Sequence, residues 1–401
     1  MSDDLPLGWQ SQRLGDVLKR RAERADGGES LLSVTQKRGV IPQEQVGRRD
    51  NSSADKLSYL RVFPGDIVYN TMRMWQGVSG VSSSFGIVSP AYTVCKPASG
   101  FDPKFLGYLI KQPSMVNKFY RLSQGLVSDT WNLRYAAFAN IEVVLPSRLD
   151  EQRRIAEILE AFDDQIECQR RVVGKVAAVQ QGLLEEQLLS LIENAKRIRL
   201  DAVADVGSGV TLSGESAAGI ELPYLRVANV QDGYIDTSEI KTVRVERSEV
   251  GRYLLEAGDV LLTEGGDIDK LGRGAVWDGR IDPCICQNHI FRVRCKREVV
   301  RPDFLSAYVG SAEGKAYFLR IAKQTTNLAT INSTQLKALP LPVPPVADQD
   351  KFILVMEGVK ARLDAEVAMA DKLVTMKQGL AEDLLTGRVR VPEAEAVVEN
   401  L

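Results

Sequence analysis

The sequence contains a single histidine, His289, in 401 residues. It lies in CQNHIFRVRC, where apolar and polar residues alternate as they do in a strand, and a histidine in such a segment is usually packed or exposed rather than catalytic. We therefore expect neither a histidine-based triad nor a metal site with several histidines.

Cysteine is also scarce, with five residues at Cys95, Cys168, Cys284, Cys286 and Cys295. An odd and scattered set fits a reducing cytoplasm better than a disulfide framework, so we expect free thiols. Cys284 and Cys286 are separated by one residue, unlike the CxxC pairs of structural zinc sites, and we expect no bound metal.

Long apolar runs and nucleotide-binding motifs are missing as well. No run approaches the roughly 18 to 20 apolar residues of a membrane helix, and MSDDLPLGW lacks the features of a signal peptide. We therefore predict a soluble, cytoplasmic protein with no membrane partner. There is no P-loop and no dinucleotide fingerprint, and EGGDIDKLGRG (264–274) is more typical of a flexible loop. The net charge of -2 excludes an overall basic protein but permits local basic patches.

What the sequence does contain is an internal repeat. A chain of 401 residues is expected to form two domains of roughly 150 residues each. LPSRLDEQRRIAEILEAFDDQIE (145–167) resembles LPVPPVADQDKFILVMEGVKARLD (341–364), and their gapless register aligns Gln152 with Gln349. The Gln-Gly-Leu at 181–183 likewise meets that at 378–380. Two like modules imply two like binding surfaces.

Both repeated segments predict long helices, with Asp150 and Asp348 as N-caps. The first helix should run from Asp150 to about Glu193 and the second from Asp348 to about Thr386, because apolar residues recur there at steps of three and four. A stripe this narrow predicts that the helices pack on each other as an antiparallel coiled coil. The predicted packing residues are Ile155, Ile158, Phe162, Ile166, Val173, Val176, Leu183, Phe352, Val355, Val359, Leu363, Ala370, Leu373 and Leu380, and Leu184 and Leu384 extend the stripe.

The segments ahead of the helices contain short apolar runs broken by Gly, Pro and Asp, which predicts mainly β domains with a few short helices. GDIVYN (65–70) parallels GDVLLT (258–263), AYTVCKP (91–97) parallels HIFRVRC (289–295), and FDPKFLGYLI (101–110) parallels VRPDFLSAYV (300–309). The predicted fold class is α+β with a pseudo-two-fold repeat. Its segments are a first domain at 1–149, a long helix at 150–197, a second domain at 198–347, a second long helix at 348–390 and a flexible tail at 391–401.

One group of residues imitates a metal-dependent nuclease site. Pro302 and Asp303 are followed by Glu313 and Lys315, but such a site needs acids that converge from strands on a metal ion. The segment FLSAYVGSAEGKAYFLRI predicts helix instead, and its counterpart in the first half carries Gln112-Pro113 in place of the acid. We therefore interpret this segment as scaffold.

Basic and amide side chains are frequent in the predicted loops of both domains. Arg and Lys neutralise phosphate, Arg pairs with guanine, and Asn or Gln pairs with adenine in the major groove, so these loops are candidates for DNA contact. The candidates in the first domain are Lys37, Arg38, Arg48, Arg49, Arg73, Trp75, Gln76, Trp131, Asn132 and Arg134. Those in the second are Arg226, Asn229, Lys270, Arg273, Lys323, Gln324, Thr326, Asn327 and Thr330.

Several of these segments together resemble a known family. LPLGWQSQRLGDV (5–17), GDIVYNTMRMWQGVSG (65–80), GIVSPAYTV (86–94), SDTWNLRYAAFANIEVVLP (128–146) and DEQRRIAEIL (150–159) resemble the specificity subunit of type I restriction-modification systems. The resemblance covers essentially the whole chain. It departs from the common pattern at DQDKF (348–352), which replaces an EQ-type start but keeps the acid and the amide.

This resemblance implies a subunit without catalytic activity or a cofactor of its own. In the family, each recognition domain binds one half of a split target in double-stranded DNA. The helices act as a spacer and dock two methyltransferase subunits, which use S-adenosylmethionine. Two restriction and translocase subunits, which use ATP and Mg, can join them. The resemblance therefore implies DNA and these subunits as partners, with the cofactors held by the partner subunits.

Helix length is compatible with this role. A helix of about 36 residues spans about 54 Å, whereas major grooves on one face of DNA repeat about every 34 Å. Because the loops of the two domains differ, we expect two different half-sites separated by several unrecognised base pairs. Two alternatives remain open at this point: a stand-alone sequence-specific DNA-binding protein without an enzyme partner, and a coiled-coil scaffold that binds no DNA.

Overall fold

The computed structural model describes residues 5–47, 56–125, 130–211, 219–266, 271–324 and 329–392. The chain forms two compact units, unit 1 from Met1–Arg171 and Val367–Leu401 and unit 2 from Val172–Glu366. The predicted α+β class and the repeat are confirmed. The compact units nevertheless differ from the predicted linear segments, because each long helix contributes residues to both units.

Unit 1 is built around a four-stranded sheet. Its strands are β1 (Trp9–Arg13), β2 (Leu18–Arg21), β3 (Leu32–Thr35), β4 (Gly39–Pro42), β5 (Leu60–Val62), β6 (Ile67–Asn70), β7 (Ser79–Val81), β8 (Gly86–Val88), β9 (Tyr92–Pro97) and β10 (Glu142–Pro146). Its helices are α1 (Leu14–Val17), α2 (Pro103–Leu109), α3 (Pro113–Leu122), α4 (Tyr135–Ala139) and the first part of α5 (Leu149–Ile192), with short 3-10 helices at Gln43–Val46 and Met74–Gln76. The central sheet has the order β2-β9-β6-β7, and three two-stranded pairs surround it.

Unit 2 repeats this arrangement. Its strands are β11 (Lys196–Arg199), β12 (Ala204–Ser208), β13 (Ile220–Leu225), β14 (Lys241–Val245), β15 (Val260–Thr263), β16 (Gly265–Gly266), β17 (Gly274–Val276), β18 (Ile285–Cys286), β19 (Ile290–Cys295), β20 (Lys323–Gln324), β21 (Ala329–Thr330) and β22 (Pro340–Val343). Its helices are α6 (Leu200–Val203), α7 (Val250–Tyr253), α8 (Pro302–Gly310), α9 (Ala312–Ile321), α10 (Ser333–Lys337) and the first part of α11 (Val346–Thr386), with a 3-10 helix at Val227–Asn229. The order β12-β19-β15-β17 matches the central sheet of unit 1.

A buried aspartate marks the start of the central strand in both units. Asp66 and Asp259 are 2% and 1% exposed. Asp66 accepts two hydrogen bonds from the Arg21 guanidinium, at 2.8 and 3.0 Å, and Asp259 accepts two from Arg294, at 2.7 and 2.8 Å. Arg21 belongs to β2 and Arg294 to β19. The equivalent buried carboxylates of the two units therefore accept their hydrogen bonds from arginines on different strands. The repeated Gly-Asp pair is therefore a structural element.

A buried glutamine joins each domain to the start of a long helix. Gln152 and Gln349 are both fully buried. Gln152 donates to the carbonyl of Pro146 at 2.9 Å, just ahead of α5, and accepts from the backbone of Asp102 at 2.9 Å, just ahead of α2. Gln349 repeats both bonds at 2.8 Å with the backbone ahead of α11 and α8. This explains why both repeats keep the amide.

The two long helices run antiparallel, as predicted. In unit 1, the start of α5 packs against the end of α11, where Lys377 Nζ lies 2.5 Å from Asp163 and Leu384 shares a hydrophobic cluster with Phe162. In unit 2, the end of α5 packs against the start of α11, with Leu188 and Phe352 in one cluster. In each unit, therefore, the beginning of one helix meets the end of the other.

The predicted N-caps are wrong for both helices. Asp150 and Asp348 lie inside the first turn, because α5 begins at Leu149 and α11 at Val346. The carbonyl of Arg148 accepts the first α5 hydrogen bond, from Gln152. The two aspartates instead pair with nearby cations, and negative charge in a first turn is favoured by the helix dipole.

Leu183 does not lie in the helix seam. Its side chain is 38% exposed, whereas Leu184 is half-buried and Leu188 is buried. From Val176 onward, half-buried or buried residues of the seam follow one another at intervals of four, including Gln180. Leu183 was predicted at seven residues after Val176, and this spacing places it outside the seam. Of the other predicted packing residues, Ile155, Ile158, Phe162, Ile166, Phe352, Ala370 and Leu373 are buried, and Val173, Val176, Val355, Val359, Leu363 and Leu380 are half-buried.

Two residues of the predicted flexible tail, Val391 and Pro392, are described. Val391, assigned to the flexible tail, packs on the core of unit 1, and residues 393–401 lie outside the described residues. Among the described helices, none is long and apolar enough to cross a membrane.

All five cysteines are free thiols, and their surroundings predict which of them reacts. Burial raises the pKa of Cys95, Cys286 and Cys295 to about 12 and that of Cys284 to about 11, while Cys168 is exposed. Because the thiolate is the nucleophile, we expect iodoacetamide near neutral pH to label only Cys168 in the native protein and all five after denaturation. Intact-mass spectrometry measures this, with Cys168→Ser as the control; native labelling that persists in this variant would contradict the assignment.

Candidate DNA-recognition surfaces

A pair of short chain segments is attached to the end of the central strand in each unit. In unit 1, Gln124 and Asn132 form a bridge, and Leu133 N–H donates to the carbonyl of Thr71, just after β6, at 2.9 Å. In unit 2, β20 pairs with β21, and Ile331 N–H donates to the carbonyl of Glu264, just after β15, at 2.9 Å. We call these paired segments the hairpin of each unit; each is bonded to the chain just after the central strand.

Three aromatic side chains from three parts of unit 1 meet beside this hairpin. Trp75 comes from a 3-10 helix, Tyr120 from α3 and Trp131 from the hairpin. The ring centroids of Trp75 and Trp131 are 5.3 Å apart, and those of Tyr120 and Trp131 are 5.0 Å apart, both in edge-to-face geometry. Tyr120 is 48% exposed, so this aromatic cluster reaches the surface.

Several cations lie close in sequence to the three aromatic rings. Arg73 and Arg134 are exposed beside Trp75 and Trp131 in the chain, and Lys118 and Arg121 lie on α3. No carboxylate occurs among the described residues of 67–80, 112–125 and 130–134. These three segments therefore carry four cations and no acid among their described residues, although the whole chain has a net charge of -2.

The β3–β4 hairpin reaches the same end of unit 1. Gln36 Nε2 donates to the carbonyl of Gln76 at 3.2 Å, which places the neighbouring candidates Lys37 and Arg38 near the aromatic cluster. Lys37 is exposed, whereas Arg38 also bonds to Gln45, at 2.9 and 3.0 Å. Gln76 and Asn132 are half-buried, and Arg48 and Arg49 lie outside the described residues.

Some candidates in unit 2 have structural partners. Asn229 is 3% exposed and donates both amide hydrogens to backbone carbonyls, at 2.8 and 3.0 Å. It is therefore not available to pair with a base, which corrects its assignment as a DNA contact. Arg273 bonds to Gln231 at 3.1 Å and Arg226 pairs with Glu239 at 3.2 Å, and both arginines are largely engaged inside the unit.

The remaining unit 2 candidates belong to the hairpin or lie outside the described residues. Lys323 and Thr330 are exposed on β20 and β21. Only the backbone of Gln324 is described, and Lys270, Thr326 and Asn327 lie outside the described residues.

Sequence reasoning missed a histidine–glutamate pair at the base of the unit 2 hairpin. His289 Nδ1 lies 2.6 Å from Glu264 Oε2, and both side chains are partly exposed. Glu264 N–H donates to the His289 carbonyl at 2.9 Å, as Thr71 N–H does to Ala91 at 3.1 Å in unit 1. The signal was present in the alignment of AYTVCKP with HIFRVRC, which sets His289 opposite Ala91. Tyr120 and Arg121 were also missed, because their segment was interpreted as scaffold.

The acids that imitate a nuclease site do not converge. Glu313 lies on α9 and pairs with Arg197 at 2.5 Å, and Lys315 pairs with Asp232 at 3.0 Å. Within the described residues, no group of three or more His, Cys, Asp or Glu residues could hold a metal ion.

The repeated frame and its divergent basic loops define a DNA sequence-recognition protein with two modules. Residues 6–173 match the family model described as type I restriction modification DNA specificity domain. Beyond this match, the whole chain is similar to the specificity subunits of type I restriction-modification systems, which are non-catalytic components of those systems. Such subunits act on DNA together with methyltransferase and restriction subunits.

Similar proteins support this assignment. The chain is 23% identical over 353 residues to the type I restriction enzyme StySPI specificity subunit of Salmonella potsdam, covering 82% of this chain and 75% of that protein. It is 21% identical over 315 residues to the EcoKI specificity subunit of Escherichia coli (strain K12), covering 74% of this chain and 67% of that protein.

Solved structures share the fold. A chain from a study of complex assembly and conformational transition of the type I R-M system has a TM-score of 0.66 and 17% identity, covering 96% of this chain and 99% of that chain. The HsdS subunit from Thermoanaerobacter tengcongensis has a TM-score of 0.55 and 17% identity, covering 96% and 98%. At these identities the structures bear on the fold alone.

Proposed function

We propose that unit 1 and unit 2 each recognise one half of a bipartite, asymmetric DNA target. We further propose that α5 and α11 dock two methyltransferase subunits, and that two restriction subunits can join this complex. S-adenosylmethionine, ATP and Mg would then be bound by the partner subunits, in the cytoplasm. The recognition domains contribute sequence selection, and the helices contribute the spacing between the half-sites.

The observation that carries this proposal is the repeated backbone contact beneath the hairpins. Thr71 and Glu264 each donate to the strand beside them and accept from the hairpin, with the same pattern of N–H and carbonyl groups. The frame is therefore repeated, while the side chains it presents differ: Thr71 beside Ala91 in one unit and Glu264 beside His289 in the other. Like frames with unlike side chains favour two half-sites of different sequence.

The surface of unit 1 suits duplex DNA. Arg73 and Arg134 can bind phosphate or pair with guanine, and Trp75 and Trp131 offer apolar contact to thymine methyl groups or sugars. Unit 2 presents Lys323 and Thr330 on its hairpin, a smaller and less aromatic set. Because the described surfaces differ in charge and in aromatic content, the half-sites should differ in both base composition and salt dependence.

Methylation mapping tests the proposal. The full chain, coexpressed with its methyltransferase subunit in a host that lacks adenine methylation, should give methylated adenines in one asymmetric motif with two specified parts and an unspecified spacer of several base pairs. A continuous or palindromic motif would contradict the one-unit, one-half-site assignment. If no methyltransferase copurified, a stand-alone DNA-binding protein would be favoured; binding no tighter than that of a charge-matched control would favour a scaffold.

A further inference from the structure

The single histidine of the chain lies where the two units share a backbone frame but carry different side chains. The frame position of a unit is the point just after its central strand where Thr71 bonds to Ala91 in unit 1 and Glu264 bonds to His289 in unit 2. In unit 2, Ile331 N–H also donates to the Glu264 carbonyl at 2.9 Å. Backbone bonds therefore fix both residues of the histidine–glutamate pair.

Both side chains of the pair reach solvent from this fixed backbone. His289 and Glu264 have side chains that are 57% and 33% exposed. The residues next to His289 and to the frame bond, Ile290 and Ile331, are buried in the core of the unit. The pair is therefore anchored from below and open from above.

The carboxylate of Glu264 orients the imidazole ring of His289. Nδ1 lies 2.6 Å from Glu264 Oε2, and since a carboxylate only accepts hydrogen bonds, Nδ1 carries the hydrogen. Within the part of the chain that the structure describes, Nε2 has no hydrogen-bond partner. An exposed pair adds little to the free energy of folding. Its main consequence is a ring of fixed orientation with one nitrogen available to bind.

Unit 1 offers no side chain for base contact at its own frame position. The Thr71 hydroxyl donates to the carbonyl of Ala91 at 2.8 Å, and Ala91 has no polar side-chain atom. Its exposed candidate is Arg73, two residues after Thr71, whereas the residue two positions after Glu264 is Gly266. The exposed polar side chain therefore lies beyond the frame position in unit 1 and on it in unit 2.

The hairpins of the two units differ in the same way. Trp131 lies two residues before Leu133, which bonds to the frame position of unit 1. The residue two positions before Ile331 is Ala329, which is fully buried. Unit 2 therefore has neither the arginine nor the tryptophan that unit 1 has at these positions, and its base contacts have to come from other side chains.

The exposed hairpin candidates of unit 2 lie on strands beside the pair. Glu264 directly precedes Gly265, which pairs with Thr330, and Thr330 pairs in turn with Lys323. A cation that can bind phosphate is thus carried by the same small sheet that begins at the pair. Phosphate contacts set the register of a protein on DNA, whereas base contacts select the sequence.

We propose that His289, oriented by Glu264, contacts the major-groove edge of one base pair in the half-site of unit 2 and is a specificity-determining residue of that unit. Nε2 would bind a hydrogen-bonding group of that base pair, and Lys323 a neighbouring phosphate. Glu264 is a positioning residue, because its carboxylate is engaged by Nδ1. This inference rests on the proposed function and adds to it the residue that selects sequence in unit 2.

The variant His289→Ala, which copies Ala91 of unit 1, tests the contact. The full chain is coexpressed with its methyltransferase subunit, and the methylated fraction is compared between sites that differ at one base pair. Discrimination at one base pair of one half-site should fall by about 10- to 100-fold, with the other half-site unchanged, as expected for the loss of one base contact. Arg73→Ala in the same set marks the half-site of unit 1. Glu298→Ala is the matched control, since Glu298 is exposed beyond the opposite end of β19, and it should keep the wild-type motif.

Two variants of Glu264 separate positioning from base contact. Glu264→Gln keeps an oxygen that accepts from Nδ1 and should retain the wild-type motif. Glu264→Ala releases the ring and should relax the same base pair as His289→Ala. A purely structural role of Glu264 would instead lower the thermal stability of Glu264→Ala without relaxing a single base pair.

The outcomes distinguish the contact from the function on which it rests. A folded His289→Ala that keeps the wild-type motif, or loses both half-sites equally, would overturn the contact; if this variant did not fold, an unchanged motif in Glu264→Ala would do so. A changed motif in Glu264→Gln would overturn the roles of the two residues, because the carboxylate would then contact the base. A wild type that gives a continuous or palindromic motif, or no methylation, would instead overturn the proposed function.

Discussion

Replacing Gln152 with alanine is expected to lower the free energy of unfolding of unit 1 by about 2–4 kcal/mol. The side chain is fully buried, and it bonds to the backbone ahead of both α5 and α2. Alanine would leave the N–H of Asp102 and the carbonyl of Pro146 without these partners in a dry site, and each unsatisfied buried group costs about 1–3 kcal/mol. Gln349→Ala should destabilise unit 2 for the same reason and by a similar amount.

Hydrogen exchange followed by mass spectrometry can measure each effect in its own unit. Protection should fall in the sheet of unit 1 for Gln152→Ala and in the sheet of unit 2 for Gln349→Ala. Gln181→Ala and Gln378→Ala are matched controls, since both glutamines are exposed on the same two helices. If the buried and exposed substitutions had equal effects, the anchoring role of Gln152 and Gln349 would be wrong.

Arg73→Ala is expected to weaken recognition of one half-site by about 10- to 100-fold and leave the other half-site unchanged. A bidentate arginine–guanine pair is worth about 1–3 kcal/mol of discrimination, and Arg73 is exposed beside the aromatic cluster of unit 1. Trp75→Ala should act on the same half-site, because the two residues are close in the chain and belong to the same unit. Methylation mapping and binding to DNA with single half-site substitutions provide the two measurements.

The controls for this prediction come from the other unit and from the helices. Lys323→Ala should affect only the opposite half-site, and Arg153→Ala, an exposed change on α5, should affect neither. An equal loss at both half-sites for Arg73→Ala would show that the arginine acts on the fold or on general DNA affinity rather than on one half-site.

The long helices and the repeat were predictable because their signals extend over many residues. The apolar stripe runs over most of α5 and α11, and the paired motifs of the two sheets keep their order along the chain. Details that depend on a single contact were not predictable. Asp150 has an N-cap type of side chain, but the helix begins one residue earlier, so local composition alone misplaced the cap.

The candidate recognition surfaces were predictable in part. Trp75, Trp131 and Arg73 were found from loop composition, and the structure brings the two tryptophans together. Tyr120, the third ring of that cluster, lies on α3. The counterpart of α3 in unit 2 was interpreted as scaffold, so the repeat gave no reason to select Tyr120. Asn229 looked like a base-contacting amide, but its partners lie seven and ten residues further along the chain, and only the folded backbone shows that they use both amide hydrogens.

The discontinuity of unit 1 has a consequence for synthesis. Unit 2 is one continuous stretch, whereas unit 1 needs both ends of the chain, and Arg390 Nη1 donates to the carbonyl of Leu7 at 2.7 Å. During translation, all residues of unit 2 are synthesised before the last turns of α11. β1, the first strand to be synthesised, is therefore among the last to be buried, because Gly387 packs against Trp9. A stop codon within 367–386 would leave unit 2 with all its residues, whereas unit 1 would lack the end of α11 that packs on its core.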